Sequence, residues 1–261
     1  MGFNKILIVL IIIMAYPVYA IVHFFLGERA DLNDVIVVAH RGGALHRPEH
    51  TLEAVSFARK SGVKMVEVDV RITKDKKLVI IHDKTVNRTT PEVGKVSSFP
   101  YRELLNMDAG SHFGSDYSDV KVAGLEELLE MNIPEDVSIL LELKDPEKPG
   151  FLEELVLQVN ECPFKERIIL MTFKEERMED LRKSFPDNKI GTFHLTGFSV
   201  DPEKDVEMVG LYWTNFLFFK NKIKKLRAEG KLVFAWTVNN QTIKEKLAGS
   251  GLVDGIITDN P

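Results

Sequence analysis

Two apolar runs of the chain each lead directly into a histidine, the side chain best suited to moving protons near neutral pH. VIVVA, residues 35–39, is followed by His40, and LVII, residues 78–81, is followed by His82. One imidazole can take a proton from an attacking oxygen while a second gives a proton to a departing group. The pair therefore suggests general acid–base catalysis by His40 and His82.

Acidic residues interrupt two further apolar runs. In VEVDV, Glu67 and Asp69 share one face of a strand, and LLELK places Glu142 in a second strand. A carboxylate inside a buried strand is costly unless it is paired or bound to a cation. Three carboxylates from two strands form an all-oxygen ligand set that suits Mg²⁺ or Ca²⁺. For Glu142 an ion pair with Lys144 is the alternative, and the pattern leaves both open.

The elements that would position these residues alternate along the chain. Strand-like apolar runs lie at 35–39, 65–70, 78–81, 137–143, 168–172, 190–193, 206–212, 232–238 and 255–258. Helical patterns lie at 51–60, 124–131, 150–160, 174–184, 220–229 and 241–248. This alternation predicts parallel βαβ units, and their number predicts an α/β fold closed into a TIM (β/α)8 barrel. Active sites of such barrels lie at the carboxyl ends of the strands, where His40 and His82 are found.

The sequence contains nine strand-like runs, one more than the eight strands of a barrel. The runs 65–70 and 78–81 are separated only by residues 71–77, whereas a parallel crossover needs about a dozen residues or more. They form either a hairpin around residues 73–76 or a tight return without a helix, and the sequence leaves both open. Residues 84–123 lack barrel periodicity and are predicted to form an insertion over one barrel end.

Composition limits the class of protein. The 261 residues are enough for one large barrel domain, predicted over residues 34–261. The formal net charge of −5 argues against a nucleic-acid-binding surface. The lone Cys162 excludes an intramolecular disulfide and a zinc site built from cysteines. A globular α/β domain remains, with no indication of its oligomeric state.

The N-terminus differs from the rest of the chain. After a short tail, residues 1–4, the segment 5–27 is one lysine followed by an almost uninterrupted apolar run. Such a run is long enough to cross a hydrocarbon core about 30 Å thick as a helix. The segment is therefore predicted to be a single-pass transmembrane anchor, with the barrel on the non-cytoplasmic side of the membrane. A cleaved signal peptide is the alternative, because residues 18–20 resemble a cleavage site.

The polar residues fall within motifs that resemble those of a known enzyme family. AHRGG, PEHT, VEVDV and HDKTVNRTT follow one another between residues 39 and 90, and LLELK, AWTVN and VDGIITDNP come later. This set is similar to that of the glycerophosphodiester phosphodiesterase family, and the likeness extends over residues 35–261. It implies a TIM barrel with a small insertion after the third strand, in agreement with the irregular segment 84–123.

The resemblance also implies roles for individual residues. It implies that His40 and His82 are the catalytic histidines, and that metal binding is an alternative role for His82. The ligands that it implies for one divalent cation, Mg²⁺ or Ca²⁺, are Glu67, Asp69 and Glu142. The residues that it implies for binding the substrate or supporting its pocket are Arg41, Glu49, Lys144 and Trp236.

The implied reaction is metal-dependent hydrolysis of a glycerophosphodiester to sn-glycerol 3-phosphate and an alcohol. Lysophospholipase D-type cleavage, which releases lysophosphatidate, is an alternative because the predicted anchor would bring the site near lipid. A non-catalytic, membrane-tethered binding module is a second alternative, against which the complete polar set argues. The expected partners are a small or lipid-derived phosphodiester and a membrane.

One position departs from the family pattern. His50 stands where Asn is usual in the P-E-x-T turn. Asn would hold the turn through side-chain hydrogen bonds to the backbone. The sequence therefore leaves the geometry near Arg41 open.

Overall fold

Ten strands and nine α-helices lie within the part of the chain that the structure describes. In a computed structural model, the backbone of residues 3–261 and the side chains of residues 15–261 are described. The strands are β1 (Ile36–Ala39), β2 (Met65–Ile72), β3 (Leu78–Ile80), β4 (Ala123–Gly124), β5 (Ser138–Leu143), β6 (Ile168–Thr172), β7 (Lys189–His194), β8 (Met208–Tyr212), β9 (Leu232–Trp236) and β10 (Gly255–Thr258). The helices are α1 (Phe3–Leu26), α2 (Leu52–Lys60), α3 (Tyr101–Leu104), α4 (Leu125–Leu129), α5 (Phe151–Glu161), α6 (Met178–Ser184), α7 (Asn215–Phe218), α8 (Lys220–Ala228) and α9 (Gln241–Gly249).

Eight of the strands form a closed barrel. Around the barrel the order is β1, β10, β9, β8, β7, β6, β5 and β2, and the pairing of β1 with β2 completes the circle. All of these pairings are parallel. The predicted TIM barrel is thus confirmed. The carboxyl ends of its eight strands share one end of the molecule, where a site can be assembled.

The surplus apolar run is not a barrel strand. β3 pairs antiparallel with β2, so that Ile72 lies opposite Leu78 and the hairpin alternative is the right one. The same strand then pairs antiparallel with the short β4. The short link left no room for a parallel crossover. The insertion thus lies between β3 and β4, after the third strand of the chain, although β3 is not one of the eight barrel strands.

The segment between β3 and β4 has a small core of its own. Two antiparallel bridges, Thr85 with Lys95 and Asp108 with Lys121, fold it back on itself. Its buried apolar side chains, together with two from β3 and its end, are Val79, Ile81, Val86, Val96, Tyr101, Leu104, Met107, Ala109 and Val122. This separate cluster explains why the segment lacks the periodicity of a barrel.

The alternation of side chains along the strands separates two larger apolar layers. The interior of the barrel contains Val38, Met65, Leu140, Ile169, Met171, Phe193, Met208, Phe234 and Ile257. The valines of VEVDV belong instead to the layer between the barrel and its helices. Glu67 and Asp69 follow the parity of Met65 and therefore point into the barrel.

The helix α1 packs on the outside of the barrel. Its Ala20 and Phe24 are buried, and the Tyr16 ring contacts Phe218 of α7. Among the helices whose side chains are described, none has the length and apolar character needed to cross a bilayer. Residues 5–14 of the predicted anchor lie outside the described side chains.

Candidate active site

The turn after β1 directs a backbone N–H at a carboxylate. Arg41, Gly42 and Gly43 have left-handed backbone conformations, with φ of 53°, 80° and 92°. A Cβ on Gly42 would lie 2.7 Å from Cβ of Ala54, so packing against α2 requires glycine. Arg41 is strained in this conformation, which aims its N–H at Oε2 of Glu67, 2.8 Å away. The hydrogen bond between the Arg41 N–H and Glu67 therefore depends on the strained backbone of Arg41.

His40 is oriented by a carboxylate that follows the last strand. Its Nδ1 donates to Oδ1 of Asp259 over 2.5 Å, and Oδ2 of Asp259 accepts from the Asn239 amide over 2.6 Å. Burial disfavours the charge of Asp259, but the bonds from His40 and Asn239 lower its pKa. With Nδ1 engaged, Nε2 remains for chemistry and lies 3.9 Å from Oε2 of Glu67.

His82 is held in the same way by its neighbour in sequence. Its Nδ1 donates to Oδ1 of Asp83 over 2.6 Å, and its carbonyl accepts from Nε of the buried Arg71 over 2.8 Å. Arg71 also pairs with Asp145, which follows β5, at 2.9 Å. Burial lowers the pKa of His82, although Asp69 and Asp83 act in the opposite direction. The neutral ring is favoured, with Nε2 as its available nitrogen.

Glu67, Asp69 and Glu142 form a buried acidic cluster. Asp69 and Glu142 are paired positions of β2 and β5, and one carboxylate oxygen from each of the three lies within 4.8 Å of the others. The Lys144 ammonium lies 2.5 Å from Oε1 of Glu142 and 3.2 Å from Oδ1 of Asp69. Both alternatives for Glu142 therefore have a counterpart in the structure, a short contact with the Lys144 ammonium and a place in the cluster.

The neighbours of this cluster do not balance its charge. Burial, with Asp69 and Glu142 close by, raises the pKa of Glu67 well above its ordinary value. Burial and Asp69 raise the pKa of Glu142 to about 8. Burial also opposes the charge of Asp69, but His50 and Lys144 hold the pKa of Asp69 well below its ordinary value. Three carboxylates so close together cannot all ionise near neutral pH without a further cation.

The donor set fits a hard divalent cation. Oε1 of Glu67 is buried and, within residues 15–261, has no hydrogen-bond partner. Buried polar atoms normally have such a partner, and an unpartnered oxygen among other carboxylate oxygens suits a bound cation. Glu67, Asp69 and Glu142 are the residues that would hold the cation.

His50 closes the turn that begins at Arg41. Its backbone is left-handed, with φ of 57°, and its N–H donates to the Arg41 carbonyl over 3.1 Å. Nδ1 of the ring accepts from the Asp69 N–H over 3.4 Å, and Nε2 lies 2.7 Å from Oδ2 of Asp69. Burial lowers the pKa of His50, as a neutral ring that accepts at Nδ1 requires. The departure from Asn therefore leaves the turn closed and adds a contact with the acidic cluster.

Glu49 supports the side chain of Arg41. Its Oε1 accepts from Nη1 of Arg41 over 3.1 Å, and both of its oxygens also accept from Arg88. Burial opposes the charge of Glu49, but Arg88, His50 and Arg41 lower its pKa to about 2. Glu49 is thus an anion that fixes the arginine rather than a proton carrier.

The other half of the barrel mouth is aromatic. Trp236, at the end of β9, lies 5.3 Å from Phe173, 5.8 Å from Phe193 and 5.6 Å from Tyr212, measured between ring centroids. These rings come from β7, β8, β9 and the residue that follows β6. The polar residues come from β2, β5, the hairpin and the ends of β1 and β10. Trp236 therefore lies across the mouth from the acidic cluster.

The structure brings the polar residues expected from the sequence into one network but adds residues that the sequence reasoning missed. Asp259 directly follows an apolar run. The same position after an apolar run singles out His40 and His82, so the sequence could have revealed Asp259 as well. Asp83 directly follows His82 and therefore lies beside the same strand end. Arg88 stands in the irregular insertion, where no strand end marks it.

Comparison with known proteins agrees with this geometry. The sequence model of the glycerophosphoryl diester phosphodiesterase family matches residues 40–261. The chain belongs to this family. The matched range begins at His40 and contains every polar residue of the site described above. Membership in the glycerophosphoryl diester phosphodiesterase family makes the chain a phosphodiesterase by class.

Individual relatives cover most of the chain. A glycerophosphodiester phosphodiesterase of Caldanaerobacter subterraneus is 34% identical over 231 residues, which are 87% of this chain and 94% of that protein. Human glycerophosphodiester phosphodiesterase 1 is 26% identical over 86% of this chain and 79% of its own. The structure of an Oleispira antarctica phosphodiesterase in complex with the product sn-glycerol-3-phosphate is 27% identical, with a TM-score of 0.79 over 86% of this chain and 93% of that one.

Proposed function

We propose that the chain hydrolyses glycerophosphodiesters to sn-glycerol 3-phosphate and an alcohol, with His40 and His82 as the acid–base pair and one divalent cation, Mg²⁺ or Ca²⁺. One arrangement carries the proposal: two histidines, each fixed at Nδ1 by an aspartate, lie in the network around three clustered carboxylates. Membership in the family and the product bound by the Oleispira relative support the substrate class.

Each residue of the site serves one requirement of the reaction. Arg41 and Lys144 supply positive charge for the phosphodiester, and a bound cation would neutralise the charge that develops on the phosphoryl oxygens. One histidine accepts at Nε2 the proton of the attacking oxygen as the new P–O bond forms. The other donates a proton to the oxygen of the departing alcohol as the old P–O bond breaks. The lowered pKa of His82 suits this ring to the role of base.

A substrate panel tests the proposal directly. The purified protein is incubated with glycerophosphocholine, glycerophosphoethanolamine and glycerophosphoinositol, with Mg²⁺ or Ca²⁺, and released sn-glycerol 3-phosphate is measured. We expect release, and a fall in kcat of about 10²- to 10⁴-fold in His40→Ala and in His82→Ala at unchanged thermal stability. The exposed His112 provides a matched control, since His112→Ala should retain the rate. No release from any diester with either cation would overturn the proposal and favour the binding module.

A second candidate is lysophospholipase D-type hydrolysis, and the rim of the mouth favours it. Several apolar side chains at the carboxyl ends of β6 to β8 and in the following loops are exposed: Phe173, Leu195, Phe198 and Tyr212. Such a surface suits an acyl chain better than a polyol. The test compares kcat/KM for lysophosphatidylcholine with that for glycerophosphocholine. A higher value for the lysophospholipid, reduced selectively by Phe198→Ser, would support this candidate, and an equal loss on both substrates would contradict it.

A membrane location is a separate proposal, supported by the sequence of residues 5–27 alone. We propose that this segment anchors the chain, with the barrel on the non-cytoplasmic side. The test is fractionation of cells that express the full chain, followed by protease treatment of intact cells and N-terminal sequencing. Membrane-bound, protease-accessible protein with its original N-terminus is expected. A new N-terminus after residue 20 would identify a cleaved signal peptide instead.

A further inference from the structure

Arg88 forms two ion pairs that meet at the candidate active site. Its guanidinium donates from Nη1 and Nη2 to the two oxygens of Glu49, over 2.7 and 2.8 Å. Nε and Nη2 donate to the two oxygens of Asp83, over 2.8 and 3.2 Å. The planar fork of an arginine is the side chain that can bind two carboxylates in this bidentate manner, and a lysine ammonium cannot reproduce it.

Each of these carboxylates holds a residue of the proposed chemistry. Oε1 of Glu49 accepts from Nη1 of Arg41, which supplies charge for the phosphodiester. Oδ1 of Asp83 accepts from Nδ1 of His82, the proposed base. A continuous chain of contacts therefore runs from Arg41 through Glu49, Arg88 and Asp83 to His82. It joins the turn after β1 to the hairpin strand β3, two segments that no backbone ladder connects directly.

Electrostatics gives Arg88 a role that a neutral residue could not fill. Hydrogen bonding to Arg88 lowers the pKa of Asp83. Burial alone would raise the pKa of Glu49, but Arg88, His50 and Arg41 together lower it to about 2. Both groups are therefore anions at neutral pH. Without a cation between them they would repel each other. Arg88 is itself about half exposed, so its contribution to overall stability is screened by solvent and expected to be small.

We propose that Arg88 is a positioning residue that couples His82 to Arg41, so that the base and the phosphate-binding side chain keep a fixed relative placement. The inference rests on the proposed function, because it assigns Arg88 to the same reaction. The hydrogen bonds of the Arg88 guanidinium go to Glu49 and Asp83 and not to the acidic cluster, so Arg88 acts through these two carboxylates. Replacement of Arg88 should therefore lower kcat while the melting temperature changes little.

Single variants test the positioning role. We expect Arg88→Met to lower kcat at least about tenfold, as removal of a supporting partner does in other sites, with little change in thermal stability. Arg88→Lys should recover only part of the rate, because one ammonium cannot bind both carboxylates through two bonds each. Arg227 is a matched control, since it pairs with Asp254 at 2.8 Å, just before β10 and thus at the opposite end of the barrel. Arg227→Met should keep kcat within about twofold of the wild type.

Double variants test the coupling itself. With Arg88 present, the losses in kcat/KM of Glu49→Gln and Asp83→Asn should be interdependent, so that the double variant loses less than the product of the single losses. In the Arg88→Met background the two losses should multiply. Losses that multiply in both backgrounds would overturn the proposal.

A readout that needs no substrate separates this inference from the proposed function. In protein labelled with ¹⁵N-histidine, the Nδ1–H of His82 is assigned by comparison with His82→Ala, and its exchange with solvent is measured. The bond to Asp83 should protect this proton in the wild type and in Arg227→Met, and Arg88→Met should exchange it faster. Equal exchange in the wild type and Arg88→Met would overturn the coupling, whatever the substrate. Absence of turnover together with faster exchange in Arg88→Met would overturn only the proposed reaction.

Discussion

At the scale of single residues, the two histidines have the same kind of partner in different surroundings. Asp259, which holds His40, has the neutral Asn239 as its second partner. Asp83, which holds His82, is paired with a guanidinium. The charge of Asp259 is therefore directed mainly at the His40 ring, whereas that of Asp83 is largely neutralised. This difference agrees with His40 as the acid and His82 as the base in the proposed reaction.

The substitution Asp259→Asn tests the dependence of His40 on its carboxylate. Asn can donate to Nδ1, which leaves the single ring proton on Nε2 of a neutral imidazole, and no carboxylate remains to stabilise the imidazolium that the acid role requires. We expect kcat to fall by about 10²- to 10⁴-fold while KM changes little. Steady-state kinetics with a circular dichroism melting curve is the measurement. A variant that keeps the wild-type kcat would show that Asp259 does not orient the catalytic ring.

The raised pKa of Glu142 makes a prediction about stability in the absence of divalent cations. In the folded state this carboxyl keeps its proton up to about pH 8, whereas in the unfolded chain it loses it near pH 4.5. Its contribution to stability is therefore present below pH 4.5 and is lost as the pH rises to about 8. Glu142→Gln cannot ionise, so its advantage over the wild type should grow across this window. Melting curves in EDTA that run parallel for both proteins would contradict the assignment.

At the scale of elements, the site exists because β1 is shorter than its neighbour β2. The two strands pair only at Val38 with Met65 and Ala39 with Val66, after which β1 turns away at His40. The Asp69 N–H, further along β2, is bonded by the ring of His50 instead of by a strand. A side chain from the loop thus continues the ladder beside the acidic cluster.

Substitutions of His50 test this replacement of a strand by a side chain. His50→Ala removes the acceptor for the Asp69 N–H and should weaken Mg²⁺ or Ca²⁺ binding about 10- to 100-fold, because an outer partner of a ligand is lost. His50→Asn should bind the cation better than His50→Ala, since Asn tolerates the left-handed backbone and can accept a hydrogen bond. Isothermal titration calorimetry of the three proteins measures the affinities. Equal affinity in all three would show that His50 has no part in holding Asp69.

At the scale of the whole molecule, the barrel mouth is divided into a charged half and an aromatic half. Strands β10, β1, β2 and β5 supply the acidic and basic residues, and β6 to β9 supply the rings. The charged half contains mutually repelling carboxylates, whose burial in the folded state is unfavourable without a cation. Folding and cation binding should therefore be linked.

Divalent cations should raise the melting temperature of the protein. At a free cation concentration of about 100 times Kd the gain is about 2.7 kcal/mol, or roughly 5–10 °C for a domain of this size. Glu67→Gln should lose most of this shift. Its metal-free form should melt higher than the metal-free wild type near neutral pH, because Gln avoids the loss of stability that the raised pKa of Glu67 causes. NaCl at equal ionic strength is the control for screening. An equal shift in Glu67→Gln would place the cation elsewhere.

The sequence by itself determined the barrel and most of the charged residues of the site. Strand-like runs and helical patterns depend on local periodicity, so the fold class follows from positions close together in the chain. The same is true of Glu67 and Asp69, whose shared face is set by the two-residue repeat of a strand. His40 and His82 were found because strand ends are visible in the sequence.

Only the tertiary structure decided how these residues are paired. Asp259 lies more than two hundred positions from His40 and meets it because β10 is the neighbour of β1 in the closed barrel. Arg88 joins Glu49 to Asp83 across an insertion without periodicity, which leaves no local signal. The assignment of residues 78–80 to a hairpin was also decided by hydrogen bonding between strands. Ion pairs and strand partners depend on distance in space, and a one-dimensional pattern does not contain that distance.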